Sequence, residues 1–262
     1  MDCIKNRRTI RKYKQDDVPA SLLNELLEEA FRASTMGNMQ LYSVVVTRNA
    51  EMKSKLAPAH FNQPMVTQAP VVLTFCADFN RFSKWCRCRQ AEPGYDNPIS
   101  FMNAATDALL VTQNFCTLAE EKGLGICYLG TTIYNPDQII SVLQLPELVM
   151  PVATITVGYP DEMPEQPDRL PLEGLLHEET YRDYTTYFLP CQENFFGKTY
   201  EPCKFILCGP VLLHCRLSSR IYRCVRASTR QSPPARQECW CSRHGSAPLW
   251  NDKCRWAVWP PR

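Results

Sequence analysis

Apolar residues recur with two different periods along the first two-thirds of this chain. From Pro19 to Ala33 the positions Leu22, Leu23, Leu26, Leu27, Ala30 and Phe31 follow helical spacing, with Glu25, Glu28 and Glu29 on the opposite face. A loop of small and amide side chains, Ser34 to Gln40, ends that helix. Tyr42 to Thr47 is rich in β-branched residues and predicts a strand, Glu51 to Leu56 a short helix, and His60 to Met65 a polar loop. Pro70 to Ala77 is almost continuously apolar, as expected of a strand buried on both faces. The longest pattern runs from Pro98 to Lys122. Its apolar positions (Phe101, Met102, Ala105, Ala108, Leu109, Val111, Phe115, Leu118) nearly encircle the axis, which predicts a central helix covered by protein on most sides. Gly123-Leu124-Gly125 stops it. Ile126 to Leu129 predicts a short strand, Asn135-Pro136 opens a helix through Leu143, and Met150 to Val157 predicts a further buried strand. Pro164, Pro167 and Pro171 mark an extended segment that carries Arg169. Helices and strands in this order predict an α+β or α/β fold with a mixed central sheet.

Near residue 185 the pattern stops. Residues 186–262 hold four of the five tryptophans, eight of the fourteen cysteines, and nine Arg and three Lys against four acidic residues. Their net charge is +8, which leaves −6 for the rest of a chain whose total is +2. Only Phe205 to Leu213 reads as an apolar element there, and the remainder has no sustained period of 2 or 3.6. Such a stretch cannot bury enough apolar surface to offset its ordering entropy. Three readings compete: a basic nucleic-acid arm with interleaved aromatics, a metal-binding module, and sequence never selected to fold, such as a shifted reading frame. The abrupt joint onset of Cys, Trp, Arg and Pro fits the third best. The expected organisation is therefore a domain at 1–184 and an aberrant or disordered tail at 185–262.

Charge and cysteine usage narrow the class. A net charge of +2 gives no global argument for nucleic acid. No apolar run approaches bilayer-spanning length, and the first residues are charged (Asp2, Lys5, Arg7), so the expectation is a cytoplasmic protein with no membrane contact. Six cysteines precede residue 186 and read as small buried hydrophobes or free thiols. No CxxC pair occurs and His244 has no partner at ligand spacing, so no metal is expected.

One polar stretch stands apart from these patterns. In Asn6-Arg7-Arg8-Thr9-Ile10-Arg11-Lys12-Tyr13, the residues Arg7, Thr9 and Arg11 alternate. In extended backbone they project to one face, giving two guanidinium forks and a hydroxyl suited to a phosphate and an electron-rich ring. Taken alone, the stretch reads better as a solvated basic run of the kind many N-termini carry. The catalytic signatures are absent: no Ser-His-Asp order, HExxH, GxGxxG or GxxxxGK[ST] occurs. Only His60 and His177 precede the tail, and both read as surface or loop residues. An enzyme without nucleophile, base or metal borrows its chemistry from a cofactor.

Six ordered blocks supply one. RRTIRKY at 7–13, ASTMGNMQ at 33–40, FCADFNRF at 75–82, DALLVTQN at 107–114, GLGICYLGT at 123–131 and VGYP…RLPL…HEETY at 157–181 resemble the FMN-dependent nitroreductase family, in its branch of oxygen-insensitive NADPH nitroreductases and flavin reductases. The resemblance covers residues 1–184 and leaves the tail unmatched.

The resemblance implies an α+β fold with a mixed central sheet flanked by helices, and a homodimer with two flavin sites at its interface. It implies ping-pong hydride transfer from NADPH or NADH through FMN to a small-molecule electron acceptor, such as a nitroaromatic, quinone or flavin. It places Arg7, Arg8, Thr9 and Arg11 on FMN, with Arg7 and Thr9 at the phosphate and Arg11 at the N1/O2 edge of the ring. Arg169 would close on the phosphate, although Pro167 stands where the family's usual lysine lies. Ser34, Thr35, Gly37, Asn38 and Gln40 would reach the partner subunit's flavin. Gln63 would bond the pyrimidine edge, and the backbone of Tyr128, Leu129, Gly130 and Thr131 would approach N5. Phe79 and Phe82 would pack near the site, and the long helix would lie in the dimer interface. The alternatives are a flavin reductase with a non-nitro acceptor and a catalytically impaired flavin-binding protein, because the family's C-terminal helices help to form the nicotinamide site.

Overall fold

The computed structural model describes residues 2–183, in two compact units of which each is described by itself: residues 2–166 and residues 167–183. The expectations for the tail, including an element at Phe205 to Leu213, fall outside the described residues. In chain order the elements are α1 (Asp2–Lys5), α2 (Ala20–Ala30), β1 (Tyr42–Thr47), α3 (Ala50–Leu56), α4 (Pro64–Gln68), β2 (Val71–Asp78), α5 (Asn80–Cys88), α6 (Pro98–Glu121), β3 (Gly125–Leu129), α7 (Pro136–Leu143) and β4 (Val149–Gly158). Single 3-10 turns lie at Met36–Asn38 and Ala57–His60, the second followed by α4 where a polar loop was expected. Local chemistry explains several boundaries. Asn97 accepts from the Ser100 backbone N–H at 2.9 Å and Pro98 occupies the first turn, which starts α6. Gly123, at φ 79°, ends the helix in a left-handed conformation.

The four strands form one sheet in the order β1-β2-β4-β3. All three pairings are antiparallel, so the parallel component of a mixed sheet is not found among the described residues. Alternate residues face two different cores. Leu73, Phe75, Ile126, Ala153, Ile155 and Val157 pack with Leu23, Leu26 and Leu27 of α2 and Val111 and Phe115 of α6. On the other face Cys127 and Leu129 pack with Leu56, Val66 and Ile139 from α3, α4 and α7. Cover on both faces is why β2 is apolar at most positions and buried at every one.

α6 departs from expectation on one side. Ile99, Met102, Leu109 and Leu110 are exposed, between 42% and 75% of their surface, so described residues do not cover the helix all round. Their spacing places them along one stripe.

The basic stretch is seated across the end of the sheet. Ile10 N–H donates to the Ile126 carbonyl at 3.0 Å, Lys14 N–H to Tyr159 at 2.9 Å, and Tyr13 bridges Pro160. Two facing glycines make room for it, since Gly125 and Gly158 are register partners across β3 and β4. A Cβ on Gly125 would lie 2.8 Å from the branched Ile10 side chain, and one on Gly158 would lie 2.7 Å from Pro70 and 2.9 Å from Tyr13. Ile10 and Tyr13 are buried and have nowhere to retreat. Gly125→Ala or Gly158→Ala should each cost about 1–3 kcal/mol by overpacking. Urea unfolding checks this; unchanged stability would mean that the segment shifts freely.

Candidate cofactor site

Three of the clusters named by the sequence meet around β3. The backbone of residues 10–14 follows the sheet end, so Arg7, Thr9 and Arg11 flank Ile10, which bonds Ile126. Glu162 fixes the turn: its Oε1 accepts from the N–H of Arg11 at 2.6 Å and of Lys12 at 3.1 Å. Arg8 spends its Nε on the Asn6 carbonyl and its Nη1 on that of Pro164, both at 3.2 Å. Arg7 Nε stands 3.6 Å from Glu120 Oε1, and both side chains are largely shielded. Burial raises the Glu120 carboxyl above the ordinary glutamate range, and the Arg7 guanidinium opposes that shift. The exposed Arg11 has no side-chain hydrogen bond or ion pair among the described residues, so its charge is available to an anion.

At the far end of β3 a buried histidine ties the second and third clusters together. His60 is expected from the sequence as a surface or loop residue; it ends the Ala57–His60 turn yet is fully buried, beneath the loop that follows β3. Its Nδ1 lies 2.9 Å from Thr131 Oγ1, while Nε2 has no hydrogen-bond partner among the described residues. Asn135 Nδ2 donates to the Ala59 carbonyl at 3.0 Å as a second tie. Gln63, partly exposed, follows His60 by three residues and donates its N–H to the His60 carbonyl at 3.2 Å. Tyr128 is 36% exposed and burial of its hydroxyl raises its pKa to about 12, whereas the Leu129 side chain turns into the core. A Cβ on Gly130 would meet nothing within 4 Å, so the backbone there is open to a ligand. Burial raises the Cys127 thiol, only partly offset by Arg11 and Arg7, which marks it as a packing residue.

The fourth cluster lies elsewhere. Gly37, Asn38 and Gln40 adopt left-handed backbone, at φ 54°, 56° and 53°. Ser34, Gly37, Asn38 and Gln40 are exposed and Thr35 is half-buried. This loop is tied to Asp107 on α6, through the N–H groups of Met36 and Leu41. Arg7 is tied to Glu120 on the same helix. Those anchors lie thirteen positions apart along the helix, or roughly 20 Å. The loop also leads into β1, at the sheet edge opposite β3. One chain therefore does not bring the 34–40 cluster to Arg7. Phe79 packs with Leu41 and Ala104 beside this loop, stacked on Tyr95 at 4.7 Å, and partly buried Phe82 joins it. In the second unit Arg169 is exposed, and its Nη1 donates to the carbonyls of Pro167 at 3.2 Å and Asp168 at 3.0 Å. Sequence reasoning missed Glu120, Glu162 and the buried role of His60, none of which carries a local signature.

The donor set fits a flavin mononucleotide: cations and a hydroxyl for the phosphate, an amide for the pyrimidine edge, and open backbone at Gly130. Comparison with known proteins points the same way. The model of the Nitroreductase family matches residues 4–159. A protein of Bacillus subtilis named FMN reductase (NADPH) is 33% identical over 72% of this chain and 76% of its own length. A crystal structure from Bacteroides fragilis, described only as an oxidoreductase, is 65% identical, covers 79% of this chain and 84% of its own, and superposes with a TM-score of 0.76. The NADPH:FMN oxidoreductase of Vibrio harveyi, solved with NAD+, is 25% identical, with a TM-score of 0.72 over 81% of this chain and 94% of its own.

His60 gives a test by pH. Burial lowers its pKa from 6.5 to about 4, so the proton binds the unfolded chain more tightly than the folded one. Stability should then fall as pH drops from 6.5 toward 4, by about 2 kcal/mol at pH 5. Urea unfolding at pH 7 and pH 5 should show this loss in the wild type. It should be missing in His60→Gln, which keeps a polar partner for Thr131 but does not titrate.

Proposed function

The chain belongs to the nitroreductase family, and from that premise we propose that it is an FMN-dependent NAD(P)H oxidoreductase that reduces nitroaromatics, quinones or flavins in ping-pong fashion. The observation that carries this reading is the convergence around β3. The basic segment, the Gln63 turn and the open Gly130 backbone are held together by Ile10–Ile126 and His60–Thr131. FMN, when bound, would supply the redox chemistry, hydride acceptance from NADPH or NADH and electron transfer to the acceptor.

The protein positions and charges the site. Arg7 and Thr9 hold the phosphate, with Arg8 bracing the turn through Pro164 and Arg169 assigned to the phosphate by resemblance. Arg11, whose side chain has no partner among the described residues, would face the N1/O2 edge and stabilise the negative charge that collects there on reduction. Gln63 bonds the pyrimidine edge, and the backbone of Tyr128, Leu129, Gly130 and Thr131 lies along the reactive side. Ser34, Thr35, Gly37, Asn38 and Gln40 serve the flavin of a partner subunit. The supports for a homodimer are the exposed apolar stripe on α6 and the roughly 20 Å that separates this loop's anchor from that of Arg7. A cytoplasmic location goes with NAD(P)H as donor. No helix among the described residues is long and apolar enough to cross a membrane.

A second reading rests on the composition break at residue 186: a protein that binds FMN but takes hydride poorly. The two separate on colour. The purified protein should be yellow, release FMN on denaturation, and bleach with NADPH under nitrogen. Yellow protein that does not bleach supports the second reading, and colourless protein that takes up no added FMN refutes both. Arg11→Ala should lower the flavin's reduction potential by tens of millivolts, about 1 kcal/mol of lost charge stabilisation, and Arg169→Ala by less. Equal shifts would refute the division between ring and phosphate.

A further inference from the structure

We propose that Asp107 is a positioning residue for the flavin site of the other subunit, acting through the loop at 34–40. This rests on the reading of that loop given above. Asp107 lies on α6 and is 2% exposed, with both carboxylate oxygens engaged. Oδ1 accepts from Met36 N–H at 2.9 Å and Oδ2 from Leu41 N–H at 3.2 Å. The carboxylate thus brackets the run that contains Gly37, Asn38 and Gln40, all left-handed. Non-glycine residues hold that conformation only where the surroundings impose it. Arg81 adds a second restraint from α5, donating to the carbonyls of Gln40 and Tyr42 while its own N–H bonds Asp78. A loop that merely ended α2 would need none of these long-range bonds. What they fix is the outward presentation of Ser34, Asn38 and Gln40, exposed polar side chains whose anchor on α6 lies roughly 20 Å from that of Arg7.

Two carboxylates on one helix, Asp107 buried and Glu120 partly buried, therefore have different clients. Glu120 attends the flavin clamp of its own chain, and Asp107 attends the loop offered to another. Asp107→Asn is nearly isosteric, but it leaves one acceptor oxygen for two N–H groups and turns an NH2 toward the second. In the homodimer it should weaken FMN binding at least ten-fold.

Mixed dimers isolate the mechanism, with FMN bound per dimer as the readout. With Asp107→Asn on one subunit and Arg7→Ala on the other, one intact site should remain per dimer, at wild-type affinity. With both substitutions on one subunit and a wild-type partner, no intact site should remain. The reverse pattern would show Asp107 acting within its own subunit and would overturn the proposal. Equal weakening in both arrangements, as from general destabilisation, would overturn it too. If Asp107→Asn does not fold, Arg81→Gln takes its place and should give the same pattern. FMN binding weakened by Arg7→Ala but untouched by Asp107→Asn would sink this inference alone, whereas a wild-type chain that takes up no FMN would sink the functional reading with it.

Discussion

The packing of Ile10 and Tyr13 against two facing glycines is the constraint on which the site depends. Gly125 and Gly158 oppose each other across β3 and β4, and the space where their side chains would stand is filled by the N-terminal segment. Burial of Ile10 and Tyr13 there fixes the direction of the chain, and so decides where Arg7, Thr9 and Arg11 can point. The polar bonds then lock the register. The Tyr13 hydroxyl donates to the Ile10 carbonyl at 2.7 Å and meets Thr156 Oγ1 at 2.7 Å, and Glu162 closes the turn from the far side. A flexible basic run has become a rigid one by apolar packing, before any ligand contributes. That matters energetically, because a backbone held in place before binding loses less entropy when an anion arrives.

Much of the fold was legible because burial on both faces leaves a plain mark. β2 is apolar at nearly every position since one of its faces packs on α2 and α6 and the other is also covered. The caps of α6 were legible for local reasons, Asn97-Pro98 before it and Gly123 after it. The apolar pattern of α6 was legible, but its cover was not. Periodicity records which positions avoid water, and does not say whether the same chain or another does the covering. Met102 and Leu109 therefore read as covered positions in the sequence and lie open in the described residues, beside Ile99 and Leu110.

The site was legible in its cations and amides and illegible in what holds them. Glu120, Glu162, Asp107 and His60 act on residues 66 to 151 positions away, and no spacing rule reaches that far. His60 shows the physical reason. A histidine in a polar-looking stretch resembles a surface residue until the turn that carries it is folded under Thr131, where burial holds it neutral.

The same partners sharpen the division between Arg7 and Arg11. Arg7 already faces a shielded carboxylate, Glu120, whose own pKa is raised by burial. A phosphate arriving there places the guanidinium between two anions, which fixes its position but dilutes the field it exerts elsewhere. Among the described residues Arg11 is bound to Glu162 only through its backbone, and its guanidinium pairs with no carboxylate there. Stabilising charge that appears during a reaction requires a cation not already neutralised in the resting state. Of the two arginines, only Arg11 meets that condition, and this is a stronger reason to place it at the ring than its position in the motif.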